Sequence, residues 1–427
     1  MQSCLAIDFG TSNSLAAAAT AERCTEPLSL DPVNADPSIL RSVLFSPQKQ
    51  CWEFGASAID SYYDLGGQGR IFRSLKKFLP DPLFSGTQVH GTFYSLEDLL
   101  GRLLGHIKAV SERELGHPID KALIGHPALF STDPLRHQKA LQRLEKAARN
   151  AGFGTVWLCP EPLAAAHQFA TSLSQRRTVL ICDFGGGTSD FTIVRMGAQG
   201  FGPDDVLAIG GLSVAGDAFD GSIMEHVVAP HFGSKVVYRV PLGSNLMSLP
   251  KALVRKMCSP ADLLVLAQKD YLEFFRQLET WSVGADDQRK LENLRLLLEE
   301  RRGYQLFSCI EDSKKRLSEK LETELVYDDL GIHLKLPLAR PQFMTFSQRL
   351  VQSIVAAMDE TLKRAQLSYA DIDIVCCTGG TARLTAIQDA LGQRLGTQKL
   401  VQHMHFHAVV RGLAHRAVQL LRAPSEG

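Results

Sequence analysis

The sequence predicts an α/β protein of two related lobes that face each other across a cleft. The main observation is a long-range repeat: "CLAIDFGTSNSLAAA" near the start resembles "VLICDFGGGTSDFTIV" at residues 179–194. In each copy an apolar strand leads into Asp-Phe-Gly, a turn of small residues with Thr and Ser, and a second apolar strand. The second observation is that short apolar runs alternate with helical segments along the rest of the chain. Two such hairpins indicate duplication rather than coincidence, and hence a cleft between the copies.

The elements of the first half follow from local patterns. After the first hairpin, Ala122-Leu123-Ile124 is a predicted strand, and "RHQKALQRLEKAARNAGF" is a predicted helix that stops at Gly152. Val156-Trp157-Leu158 is a further short strand. The second hairpin follows, with apolar runs on both sides of its glycines.

The second half is richer in helices. Residues 262–320 are charge-rich and largely helical by pattern, and the residues around Asp328-Asp329-Leu330-Gly331 predict a hairpin. Ile374-Val375-Cys376-Cys377 predicts a buried strand, and "RGLAHRAVQLLRAPSEG" a final helix. Between them lies a helix whose apolar residues fall on one stripe: Phe343, Phe346, Leu350, Ile354, Met358 and Leu362.

Composition sets broad limits on the class of protein. The chain has 427 residues, 46 basic and 46 acidic side chains and 45% hydrophobic residues, enough for two or three cores. A net charge of zero offers no electrostatic case for nucleic acid or an anionic membrane as a partner. Nine scattered cysteines without a CxxC pattern indicate reduced thiols. With no signal-peptide pattern and no long apolar run, we expect a soluble cytoplasmic protein.

Three successive glycines at 185–187 leave the backbone without side chains, which needs a structural or functional explanation. A plain tight turn is one answer. The other is that backbone N–H groups of the turn bind phosphate, with Asp183 near a metal ion. No Walker A loop occurs, and the Asp-Phe-Gly tripeptides lack the His-Arg-Asp loop of protein kinases. Phosphate binding would therefore have to come from the paired hairpins.

Several motifs, in order, resemble the actin-like ATPase superfamily, specifically the heat-shock-70 (DnaK-type) chaperones. "IDFGTSNS" is similar to the first phosphate motif of that family and "DFGGGTSD" to the second. The resemblance implies metal coordination through water by Asp8 and Asp183. It implies phosphate contacts from one set of turn residues: Gly10, Thr11, Ser12, Asn13, Gly185, Gly186, Gly187 and Thr188.

Three further segments extend the resemblance. "TGGTARL" is similar to the adenosine motif and implies nucleoside contacts by Gly379, Gly380 and Arg383. "CPEPLAAAHQFA" resembles the first connecting segment, in which Glu161 would orient water and metal. "GGLSVAGDAFD" resembles the loop that places Gly216 near the phosphates.

Two basic stretches have alternative interpretations. In "IEDSKKRLS" the helical spacing places four side chains on one face, which by itself describes surface Glu–Lys pairs. The family resemblance instead implies adenine and ribose contacts by Glu311, Lys314, Lys315 and Ser318, although lysine at 315 lacks the planar stacking group of arginine. In "RSLKKFL", Lys76 aligns with the catalytic lysine of the family; a solvated basic stretch is the alternative.

The implied architecture is a two-lobed actin-like ATPase fold of duplicated ribonuclease H-like domains. Lobe I is predicted at residues 1–177, with its core at 1–36 and 117–177 and an inserted subdomain at 37–116. A C-terminal helix at 405–427 is predicted to return to lobe I. Lobe II is predicted at 178–404, with its core at 178–219 and 341–404 and an inserted helical and hairpin subdomain at 220–340. The segment between Asp220 and Glu311 is longer than in typical chaperones. From the resemblance we expect no substrate-binding domain after the ATPase-like region, an arrangement similar to the short YegD-type branch. His403, His405 and His407 alternate as on one side of a strand, a pattern that only weakly indicates a metal site.

The resemblance implies a slow, Mg-dependent ATPase that binds ATP and ADP and changes its lobe closure with the nucleotide. Lys76, Glu161, Asp183 and Thr188 are the implied catalytic residues. A client protein or co-chaperone would bind the 220–340 subdomain. Alternatives are a nucleotide-sensing scaffold that hardly hydrolyses ATP and a small-molecule kinase of the same superfamily; an actin-like filament is a further alternative.

Overall fold

Two five-stranded sheets form the centre of the protein. The computed structural model describes residues 3–170, 173–198, 200–241, 243–401 and 407–422. The strands of the first sheet are β1 (Ser3–Phe9), β2 (Asn13–Thr20), β3 (Leu40–Arg41), β9 (Lys121–His126) and β10 (Thr155–Pro160), numbered in chain order among all strands of the protein. The strands of the second are β11 (Arg177–Phe184), β12 (Ser189–Met196), β13 (Val206–Leu212), β18 (Ile374–Thr378) and β19 (Leu400–Val401).

The two sheets have the same topology. In each, the first two strands form an antiparallel hairpin, the third strand continues antiparallel beside the second, and the last two add in parallel beside the first. The spatial order is therefore third-second-first-fourth-fifth in both. This shared order confirms the predicted α/β fold of two duplicated lobes. We call the first sheet and its helices lobe I and the second lobe II.

Helices cover both sheets. Those associated with the first are α2 (Leu96–Leu115), α3 (Pro134–Asn150), α4 (Glu161–Ala170) and α13 (Ala408–Arg422); those with the second are α5 (Gly216–Ile223), α11 (Arg340–Arg364) and α12 (Thr385–Leu395). The C-terminal helix α13 packs against α4 and against strands β1, β2 and β9 of lobe I. Residues from α4 and α13 share a buried cluster with strand residues of both lobes, such as Ala17 and Ile181.

A small subdomain extends from lobe I. It contains a three-stranded sheet, a hairpin and a helix: β4 (Val43–Ser46), β5 (Glu53–Phe54), β6 (Arg70–Arg73), β7 (Gly86–Val89), β8 (Thr92–Ser95) and α1 (Gly55–Asp64). Helix α2 follows and begins at a capping box, in which Ser95 Oγ accepts from the Asp98 backbone N–H. Its end is set by Gly116, whose φ of 76° suits a residue without Cβ.

A second, largely helical subdomain extends from lobe II. Its elements are β14 (Val237–Tyr238), β15 (Met247–Ser248), α6 (Lys251–Met257), α7 (Pro260–Leu266), α8 (Lys269–Trp281), α9 (Asp287–Glu299), α10 (Gly303–Glu319), β16 (Glu322–Asp329) and β17 (Ile332–Ala339). The predicted hairpin is the β16–β17 pair, which turns at Leu330 and Gly331. Its buried side chains, including Leu325 and Tyr327, join the large apolar core of lobe II.

The other strands and helices expected from the sequence are present, including β9, α3, β10, α11 and β18. The boundaries between lobes and subdomains stay predictions. Strand β3 of the lobe I sheet comes from within the range expected for the inserted subdomain, so that range also contributes to the core. All nine cysteines are free thiols. Among the described residues, no helix combines the length and apolar character that a bilayer crossing requires.

Candidate functional site

The two glycine-bearing turns meet at the centre of the molecule. The turn of lobe I, residues 10–12, follows β1, and the turn of lobe II, residues 185–188, follows β11. A Cβ built on Gly186 would lie 2.4 Å from Ser12 Oγ, and one on Gly187 would lie 3.0 Å from Thr11 Oγ1. A Cβ at Gly186 would require the Ser12 side chain to move, so the two turns approach each other closely at this glycine.

One cleft of about 770 Å³ lies between the lobes. This volume falls within the range of small-molecule sites. The structure brings every predicted site residue to its walls: Asp8, Gly10, Thr11, Ser12, Asn13, Lys76, Glu161, Asp183, Gly185, Gly186, Gly187, Thr188, Gly216, Glu311, Lys314, Lys315, Ser318, Gly379, Gly380 and Arg383.

Lys76 and Glu161 form a buried ion pair in the cleft. Lys76 Nζ lies 2.6 Å from Glu161 Oε1, and both side chains are buried. Glu161 is the first residue of α4, with Pro162 behind it in the first turn, where a missing N–H costs nothing. Lys76 lies on a short 3-10 turn, Leu75–Phe78, which follows Ser74 in the left-handed region at φ 56°. From this turn the Lys76 side chain reaches Glu161 of the same lobe in the cleft.

The segment after Lys76 is held by Arg143 of α3. The buried Arg143 guanidinium donates to the backbone carbonyls of Phe78 and Leu79 at 3.2 and 3.3 Å. It also donates to the carbonyls of Asp81 and Phe84, at 3.1 and 2.9 Å. The same side chain donates to Glu97 Oε1 at 2.8 Å. Sequence analysis did not identify Arg143, since one arginine within an amphipathic helix carries no signal of such a role.

Several carboxyl groups are buried near this ion pair. Burial, together with the charges of Glu161 and Asp183, raises the pKa of Asp8 well above its usual range. Burial and Glu161 likewise raise the pKa of Asp183 to about 7. Asp190 Oδ2 is buried without a hydrogen-bond partner. A concentration of acidic oxygens with an unpartnered one among them is an environment that a cation would stabilise.

The carboxyl groups fit a cation held through water better than one ligated directly. Within the described residues, no three side chains of His, Cys, Asp or Glu lie close enough together to coordinate a metal ion directly. Asp8 and Asp183, one from each lobe, nevertheless both line the cleft. Mg²⁺ commonly keeps several of its waters in proteins, so the donor set fits that ion.

Residues 378–384, the segment similar in sequence to the adenosine motif, contact the turn of lobe II. Gly379 has φ 83°, and a Cβ there would lie 2.2 Å from the Phe184 carbonyl oxygen, so only glycine fits. Thr378 Oγ1 donates to Asp183 Oδ1 at 3.2 Å, and Thr381 Oγ1 donates to the Gly185 carbonyl at 2.8 Å. Sequence analysis missed both threonines, although they flank the glycines that it identified.

Glu311, at the opposite end of the cleft, is surrounded by cations. Lys315 Nζ lies 2.9 Å from its carboxylate, Arg73 Nη2 3.3 Å and Arg41 Nη1 3.7 Å. Burial would raise the pKa of Glu311, but these cations outweigh it and lower the pKa to about 2. Arg41 lies on β3 of the lobe I sheet and Arg73 on β6 of the lobe I subdomain. Both are far from Glu311 in sequence, which is why the helical pattern could not reveal them.

Lys314 has partners of its own within lobe II. Its ammonium lies 2.8 Å from Asp220 Oδ1 and donates to the Gly216 carbonyl at 3.1 Å. Burial raises the pKa of Asp220 to about 6, against the lowering effect of Lys314. Lys314 thereby links helix α10 to the start of helix α5, which lies beside the lobe II turn. The Asp217 backbone N–H, in the first turn of α5, donates to the Gly186 carbonyl at 2.7 Å.

The two subdomains touch above the cleft. Arg301 Nη1 donates to the Gly69 carbonyl at 2.6 Å, and Tyr62 donates its hydroxyl hydrogen to the Arg301 carbonyl. With the Arg73–Glu311 pair, these contacts form a bridge between the lobes, which we call the clasp.

The structure does not test the weakly predicted histidine metal site, because His403 and His405 lie outside the described residues. The third histidine of that pattern, His407, has its Nε2 atom 3.0 Å from Ser38 Oγ.

Comparison of the sequence with models of protein families identifies the family of this chain. The model of the family described as "Hsp70 protein" matches residues 82–249 and 285–422, well over half of the chain. The chain belongs to the Hsp70 family. The matched ranges include the lobe II turn, Gly216, Glu311 and the adenosine motif, whereas the lobe I turn, Lys76 and residues 250–284 fall outside them. The lobe I turn and Lys76 are assigned to the same site because they line the same cleft as the matched residues.

Membership in the Hsp70 family supports an ATPase domain-like function in general terms. It agrees with the two-lobed actin-like fold and with the cleft between the lobes.

Proposed function

We propose that this Hsp70 family member binds ATP in the interlobe cleft and hydrolyses it slowly with Mg²⁺, and that lobe closure on the nucleotide is its output. The observation that carries the proposal is the meeting of both glycine-bearing turns with the Lys76–Glu161 pair in one cleft. Backbone N–H groups from two sides can bind the β- and γ-phosphates of one nucleotide. Nucleotide in this position would join the lobes, so its hydrolysis would loosen them.

The catalytic roles follow from position and charge. Lys76, with its charge balanced by Glu161, faces the phosphate end and would stabilise charge that develops on the γ-phosphate. Glu161 and the Thr188 hydroxyl would orient the attacking water. Bound Mg²⁺ would neutralise charge on the phosphate oxygens, and Asp8 and Asp183 would hold it through water. Catalysis would consist of positioning and charge stabilisation.

At the nucleoside end, helix α10 and the adenosine motif would hold the base and sugar. Glu311 is kept ionised by its three cations and can accept hydrogen bonds from ribose hydroxyls. Lys315 and Arg383 would flank the base, with Ser318 beside it. Lys314 already bonds Asp220, so we propose that it supports the site through the Gly216 loop and only secondarily contacts the nucleoside.

The decisive experiment replaces one carboxylate. Asp183→Asn keeps size and hydrogen bonding but removes a charge near the metal position, so turnover should fall at least about a hundredfold while ATP binding is largely retained. Turnover is measured as ADP formed in an acid quench, and binding by calorimetry with MgATP. Asp389→Asn, an exposed substitution on α12, is the matched control. Unchanged turnover in Asp183→Asn would reject the assignment.

Single-turnover hydrolysis of bound ATP also separates the alternatives. A sensing scaffold would bind ATP with no ADP formed, and a small-molecule kinase would consume ATP only with an acceptor. A cytoplasmic location, a client or co-chaperone on the lobe II subdomain, and placement in the YegD-type branch are further proposals. The "LIGHPALF" and "SKKRLS" segments support the last of these.

A further inference from the structure

A second cavity, of about 230 Å³, lies behind the glycine-bearing turns. It adjoins the nucleotide cleft at the phosphate end only. The residues that line both spaces are Thr11, Lys76, Gly187, Thr188 and Asp217, and none of them belongs to the nucleoside end. The phosphate end of the cleft therefore has a back wall that contains a chamber with room for several water molecules.

This chamber continues to the protein surface through a third cavity. The third cavity measures about 440 Å³ and shares Lys77, Pro80, Phe130 and Ser213 with the chamber. At its outer end lie the exposed side chains of Thr132 and Arg136. The three spaces thus form a series from the γ-phosphate position to solvent, on the side away from the nucleoside. We call the second and third cavities together the rear channel.

The lining of the rear channel suits a small anion. Lys76, Lys77 and Arg136 place cationic groups at its inner end, middle and mouth. Ser74 Oγ, which lines the chamber, is buried and lacks a hydrogen-bond partner within the described protein. A buried unpartnered hydroxyl is costly unless a water or ligand satisfies it. Two acidic side chains belong to the lining: Asp217 in the chamber, whose pKa is raised by burial, and Asp81 in the outer cavity, so basic side chains outnumber acidic ones.

A contact between the lobes constricts the rear channel at its middle. Lys77 Nζ donates to Ser259 Oγ at 3.0 Å and lies 3.7 Å from Asp262 Oδ2. Ser259, with its neighbours Cys258 and Pro260, forms part of the chamber wall. These residues belong to 250–284, which the Hsp70 family model leaves unmatched. The constriction thus combines the residue next to the catalytic lysine with a segment outside the family match.

We propose that the rear channel is the route by which inorganic phosphate leaves after hydrolysis, with the Lys77–Ser259–Asp262 contact as its gate. This inference rests on the proposed ATPase function. Phosphate formed at the γ-position lies directly at the channel, while ADP in the cleft separates it from the nucleoside opening. Product release through a gated route commonly limits turnover in such enzymes.

The test follows phosphate directly and does not depend on hydrolysis. Full-length protein is loaded with MgADP and labelled inorganic phosphate, and dissociation of each is timed after a chase. Ser213→Trp, an exposed position where the two cavities join, should slow phosphate dissociation about tenfold or more without slowing ADP dissociation. Asp262→Ala should accelerate phosphate dissociation severalfold. Ser353→Trp, exposed on α11 outside the channel, is the matched control. If Ser213→Trp fails to fold, Ser131→Trp blocks the outer cavity from lobe I.

Each outcome decides the inference. Slower phosphate loss with unchanged ADP loss, in the channel variant alone, supports the rear channel. Unchanged phosphate dissociation in Ser213→Trp, or ADP and phosphate slowing together, would overturn it, as would a lack of saturable phosphate binding to ADP-loaded protein. A lack of ADP binding in calorimetry would refute the proposed function and this inference with it, so the two failures are distinguishable.

Discussion

Lys76 and Glu161 show how strongly single side chains in this cleft depend on their partners. Both are buried, and the 2.6 Å contact is the main compensation for removing two charges from water. A buried pair of this kind contributes little net stability compared with apolar residues, but losing one member leaves a bare charge. The stability of this part of the cleft is therefore tied to the pair as a unit.

Breaking the pair should destabilise the protein more than removing it. We expect Lys76→Met to lower the free energy of unfolding by about 3–5 kcal/mol, because Glu161 is left buried and unpaired. Lys76→Met/Glu161→Gln should recover part of that loss. Denaturant unfolding measures both, with Arg364→Met as control, since its ion pair with Glu360 is exposed and contributes at most about 1 kcal/mol. A double variant no more stable than the single one would contradict the prediction.

His126 predicts a pH dependence of stability. This buried histidine, at the end of β9, has its pKa lowered to about 4, chiefly by burial and further by Lys76. An unfolded chain binds a proton at this residue near pH 6.5, whereas the folded one does not until about pH 4. Stability from the neutral form is therefore complete above pH 6.5 and declines as pH falls toward 4.

Between pH 7 and 5, this effect should cost the wild type about 1–2 kcal/mol more than His126→Asn. Denaturant melts at the two pH values measure the difference. Equal losses in wild type and variant would show that another group dominates the acid sensitivity. His137→Asn is the control, because His137 is less buried and its pKa is lowered by burial alone.

At the scale of elements, the hairpins were predictable because their signals are local. The apolar runs and the Asp-Phe-Gly turns lie within about fifteen residues of sequence, and the apolar stripe of α11 repeats at helical spacing. The Lys76 turn was not predictable as an element, since nothing in "RSLKKFL" indicates left-handed backbone at Ser74. Its geometry depends on Arg143, almost seventy residues further along the chain.

Arg143 therefore tests whether α3 positions Lys76. Arg143→Met removes the guanidinium that bonds the carbonyls of Phe78, Leu79, Asp81 and Phe84. We expect about 2–4 kcal/mol of lost stability, because buried carbonyls lose their partners. We also expect a lower kcat with little change in KM, since Lys76 would shift at the phosphate end.

Arg149→Met on the same helix is the matched control, because Arg149 is exposed and pairs mainly with Glu145. Stability is measured by denaturant unfolding and kinetics by ADP production. If Arg143→Met loses stability but keeps kcat, Arg143 supports the fold without positioning Lys76.

At the scale of the molecule, the repeat predicted two lobes, and the identical strand order of the two sheets confirms them. Contacts between lobes were beyond prediction, because they join residues hundreds of positions apart in the chain, such as Arg73 and Glu311. Only a folded chain brings these residues together. The predicted motifs thus identified the walls of the cleft, and the structure adds the clasp that spans it.

The clasp predicts slow exchange of nucleotide. Arg301→Ala removes the hydrogen bond to the Gly69 carbonyl and loosens the contact of Tyr62 with that turn. Because the clasp bridges the lobes above the cleft, ADP should dissociate severalfold faster, as opening the cleft becomes easier. Stopped-flow chase of a fluorescent ADP measures the rate. Arg289→Ala, exposed on α9, is the control, and equal rates in both variants would show that the clasp does not limit exchange.

The position of α13 has a consequence for biosynthesis. This helix packs on the sheet of lobe I, but its residues, Ala408–Arg422, are translated after the whole lobe II sheet has been made. Domains usually mature on the ribosome from the N-terminus onward. Here the lobe I strands that α13 covers stay exposed until this helix has been translated, whereas the lobe II sheet can be completed earlier. The exposed apolar surface of lobe I would meanwhile be available to proteins that bind nascent chains.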